Sequence, residues 1–129
     1  MTIKISISWG ELIDKIAILE IKMDRIRDIK KRENINKELQ ALRIIFDQGC
    51  SEPEKIRKLK SELRKVNEKL WHIEDDIRKC EKEKDFGQQF IGLARAVYMT
   101  NDQRSVLKRE INMVLKSELF EEKSYEDYS

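Results

Sequence analysis

Turn-forming residues are nearly missing from this chain, whose 129 residues include four glycines and one proline. So few breakers cannot punctuate the many turns of a β-sandwich or barrel, which argues against an all-β fold. A single short segment alternates like a strand, so a run of βαβ units is equally out of reach. Histidine occurs once, at His72, and cysteine twice, at Cys50 and Cys80. One imidazole with no His or Cys three or four residues away gives zinc no ligand set, and neither thiol has a basic neighbour paired with His to activate it. Two cysteines do not make a disulfide scaffold, so the expectation is a reduced, cytoplasmic chain in which Cys80 is a buried free thiol. Gly10, Gly49, Gly87 and Gly92 stand alone, so no glycine-rich phosphate loop forms. No nucleophile–His–carboxylate group can be assembled either. The expectation is no metal and no cofactor.

A dominant sign of charge is also lacking. Lys and Arg total 27 against 25 Asp and Glu, a net charge of +2. That balance does not by itself point to nucleic acid, a membrane surface or an acidic substrate. The first residues carry no basic region leading into an apolar stretch, and no window approaches the ~18 apolar residues of a membrane span. Neither a signal peptide nor membrane association is expected.

What the chain does have is charge, at 40% of residues, and apolar side chains at helical spacing. Ile3, Ile5 and Ile7 alternate with Lys4 and Ser6, which predicts a short strand over residues 1–7. Ser8 and Glu11 then form a capping box that starts a helix. Trp9, Leu12, Ile16, Leu19, Met23 and Ile26 follow at heptad spacing. Ile13, Ala17, Ile18 and Ile21 widen this apolar surface, so the helix is expected to be covered on more than one side. Ile35, Leu39, Leu42 and Phe46 form a second seam, out of phase with the first. The reading is a helical arm over 8–48 with a kink near 28–34, ending at Gly49 as a left-handed cap. Ser51 and Glu54 form a second capping box around Pro53. Ile56, Leu59, Leu63, Val66, Leu70, Ile73, Ile77 and Cys80 then hold a coiled-coil seam through a long helix over 52–84. Shorter helices are predicted over 86–99 and 101–119, the second opened by Asn101 and Asp102. The tail 120–129 has no helical period, and disorder is its default reading.

The fold class expected is therefore all-α, one domain over 1–129. It is a long antiparallel hairpin turning at Cys50, with residue i facing about 101 − i, two shorter C-terminal helices and one N-terminal β-strand. A hairpin so long and narrow leaves apolar surface uncovered, which predicts a homodimer.

Three groups of side chains invite a chemical reading. Glu11 and Asp14 have the spacing of a magnesium-binding pair, but the register sets them far from Glu74, Asp75 and Asp76, and the cap explains Glu11 better. Lys55, Arg57, Lys58, Lys60, Arg64 and Lys65 make a basic patch that can contact nucleic-acid backbone. It lacks interleaved aromatics, so a solvated face is favoured and nucleic acid is not the expected partner. Arg95, Tyr98, Asn101, Asp102, Arg104 and Lys108 crowd the predicted helix junction, followed by Arg109 and Asn112. Arg and Lys there can receive a carboxylate or phosphate, with Asn and Tyr orienting it. The structural alternative, an ion-pair network fixing the angle between two helices, carries more weight.

The blocks Ser8–Lys22, Leu70–Arg78, Asn101–Asn112 and Glu121–Tyr125 together resemble an uncharacterised bacterial family of small helical proteins. The resemblance covers nearly the whole chain and brings no activity with it. It implies single-domain boundaries and a Glu121–Tyr125 segment that docks on the fold, and it adds interest to Trp9, Trp71 and the Asn101–Asn112 block. It leaves the segment from Asn34 to Leu63, with most of the basic patch, largely outside. The function expected is a non-enzymatic interaction or scaffold protein with an unknown protein partner. The alternatives are a phosphorylated-ligand or nucleotide-binding protein, and an RNA-binding helical arm.

Overall fold

Ser8 opens the first helix as its spacing predicts, its hydroxyl accepting from the Glu11 amide at 3.1 Å. The computed structural model, which describes all 129 residues, has four α-helices: α1 over Trp9–Arg25, α2 over Ile29–Gly49, α3 over Arg57–Lys82 and α4 over Gln88–Val114. A 3₁₀ turn, Pro53–Ile56, leads into α3. No helix is long and apolar enough to cross a membrane.

The predicted arm is two helices. The break falls at Ile26–Asp28, just ahead of the apolar-free stretch that pointed to it. Asp28 caps α2 by accepting from the Lys31 amide at 2.9 Å. The Arg32 guanidinium reaches back and donates to the carbonyls of Met23 and Ile26, freed by the end of α1. With these donors and acceptors satisfied, the chain reverses without Gly or Pro.

This reversal corrects the expected hairpin. α2 folds back on α1, so that Leu39 is buried with Leu12, Ile16 and Leu19, and Phe46 meets Trp9 edge-on at 6.3 Å. The antiparallel partner of α1 is thus α2; the α2 and α3 backbones stay apart, bridged only by side chains such as Phe46 of α2 beneath Lys60 of α3. α1 and α3 instead run in the same sense, Asp14 lying beside Asn67 and Arg25 beside His72. α4 returns antiparallel to both, closing a second cluster of Ile13, Ile56, Leu63 and Ile111. α1 is thereby covered by three helices, as its wide apolar surface requires. The α3 seam is buried at Ile56, Leu63, Leu70, Ile73 and Cys80.

Five local expectations are also corrected. The N-terminal strand is absent: residues 1–8 form no regular element, and Ile3 and Ile5 are 84% and 75% exposed because the chain has no second strand to pair with them. Gly49 has no left-handed φ, and Ser51 makes no capping bond at Glu52–Pro53. The two C-terminal helices are one, since the capping groups near residue 101 are engaged elsewhere. Thr100 is buried, and Asp102 accepts from the Tyr128 hydroxyl at 2.6 Å. Finally, the tail is docked along α4, as the resemblance implied and the composition did not. Left-handed residues do close helices, but at Lys84 and Lys116. At each, the next amide bonds back to a carbonyl five residues earlier (Asp85 to Cys80 at 2.9 Å, Ser117 to Asn112 at 2.8 Å) in a Schellman motif.

Candidate functional site

Along α1, Gly10, Asp14, Ala17 and Ile21 form one column of buried residues at i, i+4, i+7, i+11. Three are apolar or lack a side chain; Asp14 is a carboxylate with 1% of its surface exposed. A charge so placed is tolerable only with close partners. They come from both neighbouring helices. Arg104 on α4 forks onto Asp14, Nε donating to Oδ1 at 2.9 Å and Nη2 to Oδ2. Asn67, buried on α3, donates its amide to Oδ1 at 2.9 Å. The Lys108 ammonium lies 4.0 Å from Asp14, 2.8 Å from Glu11 and 3.0 Å from Glu121 of the tail. No buried side-chain nitrogen or oxygen is left without a hydrogen-bond partner.

The electrostatics follow. The Asp14 hydrogen bond raises the Arg104 pKa above its ordinary value against the opposing effect of burial. For Lys108, burial alone would lower the pKa. Hydrogen bonds to Glu11 and Glu121, with the charge of Asp14, win and hold it above 10.5. The bond to Lys108 in turn lowers Glu121 below its ordinary 4.5. A carboxylate with a depressed folded pKa stabilises above its unfolded pKa and loses that contribution as pH falls through the folded value. The Lys108–Glu121 tether is therefore present from neutrality down to about pH 4.5 and weakens below it. The mobility of residues 118–128, whose amides donate no hydrogen bond and which the side chains alone hold, is expected by ¹⁵N relaxation to rise as pH falls from 5 to 3. In Glu121→Gln the tail should be mobile at pH 6 already, and order parameters unchanged by either perturbation would refute the tether.

The same helices meet at the start of α1, where its first amides need acceptors. Trp9 N–H donates to Ser117 Oγ at 2.9 Å, Gly10 N–H to Asn112 Oδ1 at 2.6 Å, and Glu11 N–H to Ser8. Ser117 is brought there by the left-handed Lys116. The Glu11 carboxylate does not reach back to its cap, as the capping box predicts, because Lys108 and Lys15 take it.

The candidate ligand residues of α4 do not converge. Arg104 and Lys108 point inward to Asp14 and Glu11. Tyr98 and Asp102 face the tail, where the Tyr98 and Tyr128 rings lie 5.3 Å apart. Half-buried Asn101 lies between these two sides. Arg95 is on the outer face, exposed and in no ion pair. At 100° per residue Arg104 and Lys108 fall on the inner side of the helix while Arg95, Tyr98 and Asp102 share the outer half, a division that their closeness in sequence concealed. Arg109 pairs with Glu122 at 3.3 Å and sits 5.3 Å over the Phe120 ring.

The basic patch is partly engaged as well. Lys55 pairs with Glu52, Arg64 with Asp24 and Glu68, and Lys60 lies over the Phe46 ring. Arg57, Lys58 and Lys65 are exposed. No three His, Cys, Asp or Glu side chains gather into a metal-binding group. The sequence reading missed the coupling of Asp14 to Arg104. The signal available was a carboxylate standing in an apolar column.

The features so assembled define a small all-helical domain held by an internal ion-pair network. The chain belongs to a family of unknown function, DUF6165, whose model matches residues 3–128. No curated protein and no solved structure matches it.

Proposed function

We propose that the protein is a non-enzymatic helical interaction protein that acts as a homodimer through the outer face of α4. The observation that carries this reading is the self-complementarity of that face. Gly92, Met99, Val106 and Met113 recur every seven residues along it; Val106 and Met113 are 56% and 65% exposed, and nothing lies near Gly92. Core contacts occupy one side of α4 and the tail another, which leaves this stripe free. A second copy laid antiparallel, with residue i beside 205 − i, brings Met99 against Val106 and Gly92 against Met113. The same register sets Arg95 beside Glu110, two exposed groups that have no ion-pair partner within the chain. The pairing of one patch with itself about a two-fold axis is the geometry of an isologous dimer.

The inner charges support the non-enzymatic part. Arg104 and Lys108 already hold carboxylates, so a phosphorylated ligand would have to displace Asp14, Glu11 and Glu121 to use them. Light scattering at tens of micromolar should give twice the 15.5 kDa chain mass. Val106→Glu should return the chain mass with helicity intact. Arg95→Glu should weaken association at least tenfold, and adding Glu110→Arg should restore it. A chain-mass particle for the unaltered protein would overturn the reading.

A further inference from the structure

The chain has three tyrosines, and all of them line one cleft. It is a space of about 750 Å³ between α4 and the docked tail, bounded by Tyr98 and Asp102 on the helix and by Lys123, Tyr125, Glu126 and Tyr128 on the tail. From this geometry we infer a binding site for an organic cation of the alkylammonium class.

The chemistry of the lining selects that ligand. An aromatic ring presents a negative face, and two or three such faces around a cavity attract a cation whose charge is spread over methyl groups. Tyr98 and Tyr128 pack on each other at 5.3 Å with their planes tilted by 58°, and together form one aromatic wall of the cleft. The bond from the Tyr128 hydroxyl to Asp102, at 2.6 Å, fixes that ring and holds a carboxylate at its edge. Glu126 adds a second negative charge, against the single positive charge of Lys123. Lys123 itself places its ammonium 5.8 Å from the centre of the Tyr125 ring. An anion would meet two carboxylates and an aromatic wall. A neutral apolar molecule would gain the rings but not the charges.

The site flanks the outer stripe of α4, Asp102 lying one heptad from Arg95, so binding is measured also in the Val106→Glu variant, where its failure and that of the dimer are read independently. The test uses the full chain, with tetramethylammonium and choline as probes and 3,3-dimethylbutanol, the uncharged carbon counterpart of choline, as control. Tyrosine-ring and tail amide resonances should shift saturably with both cations and at least tenfold more weakly with the alcohol. Tyr128→Ala, a change in the exposed tail that leaves the core untouched, should reduce affinity at least tenfold, and Asp102→Asn should do so by several-fold. Tyr128→Phe should retain more binding than Tyr128→Ala, because the ring remains while the hydroxyl anchor is lost. Absence of saturable shifts up to tens of millimolar cation, equal binding of the alcohol, or undiminished binding by Tyr128→Ala would each overturn the assignment.

Discussion

Asp14→Ala is expected to cost about 3–5 kcal/mol of folding stability, the range for removing one member of a buried ion pair. Against a total of about 5–15 kcal/mol for a small domain, that brings the protein to the edge of unfolding at physiological temperature. The size follows from what remains: Arg104 keeps its charge in a half-buried position, and the Asn67 amide loses its acceptor. Lys108 loses the less, because Glu11 and Glu121 still hold it. The discriminating measurement is a double-mutant cycle by urea unfolding. Arg104→Ala alone should also destabilise by leaving the Asp14 carboxylate buried with only Asn67 and the Lys108 ammonium at 4.0 Å. The double variant Asp14→Ala/Arg104→Ala should be more stable than the sum of the single losses predicts, by at least 1.5 kcal/mol on the scale of buried charge pairs. Additive losses would mean that the two groups do not act as a pair, and the account of how α1 and α4 are joined would fail with them.

That pair shows where the sequence was readable and where it was not. Apolar spacing located the helices, because a buried stripe must recur at 3.6 residues whatever the topology. The Leu63 and Leu70 seam and the breadth of the α1 surface follow from that rule alone. Spacing does not say which stripe meets which. α2 carries a seam as regular as that of α3, yet buries only Leu39 completely, and its reversal depends on single polar bonds from Asp28 and Arg32. An Asp at a helix start is a legible cap; an arginine reaching back six to nine residues is not. The Asn101–Asp102 cap pattern failed for the converse reason. Side chains that can cap a helix can equally bond outward, and Asp102 bonds to Tyr128 while the backbone continues. The residues of the candidate site on α4 were individually visible, but their directions depend on helix continuity through Thr100. Tail docking has no local signal at all, since it rests on Glu121, Glu122 and Tyr128 meeting side chains 13 to 26 positions away.

Gly10→Ala is expected to destabilise by roughly 2–4 kcal/mol, combining overpacking at about 1–3 kcal/mol with strain on a buried hydrogen bond. An added Cβ would press into the Lys108 carbonyl oxygen and come within 2.9 Å of Asn112 Oδ1. The carbonyl is backbone of α4 and cannot swing aside as a flexible side chain would. Relief requires α4 to retreat from α1. That lengthens the 2.6 Å bond from Gly10 N–H to Asn112 and loosens the 2.9 Å bond from Trp9 N–H to Ser117. Two of the first amides of α1 then lose their acceptors together. Gly92→Ala is the matched control, for a Cβ there meets nothing within 4 Å and the residue lies inside a helix. It should stabilise by about 0.5–1 kcal/mol through helix propensity. Both substitutions belong in a Val106→Glu background, so that dissociation of two copies does not enter the unfolding midpoint. Opposite signs at Gly10 and Gly92 identify close approach of α4 as the reason for glycine at position 10. A stabilising Gly10→Ala would mean that the two helices stand further apart than the Asn112 and Ser117 bonds allow, and the anchoring of the α1 N-terminus would have to be abandoned.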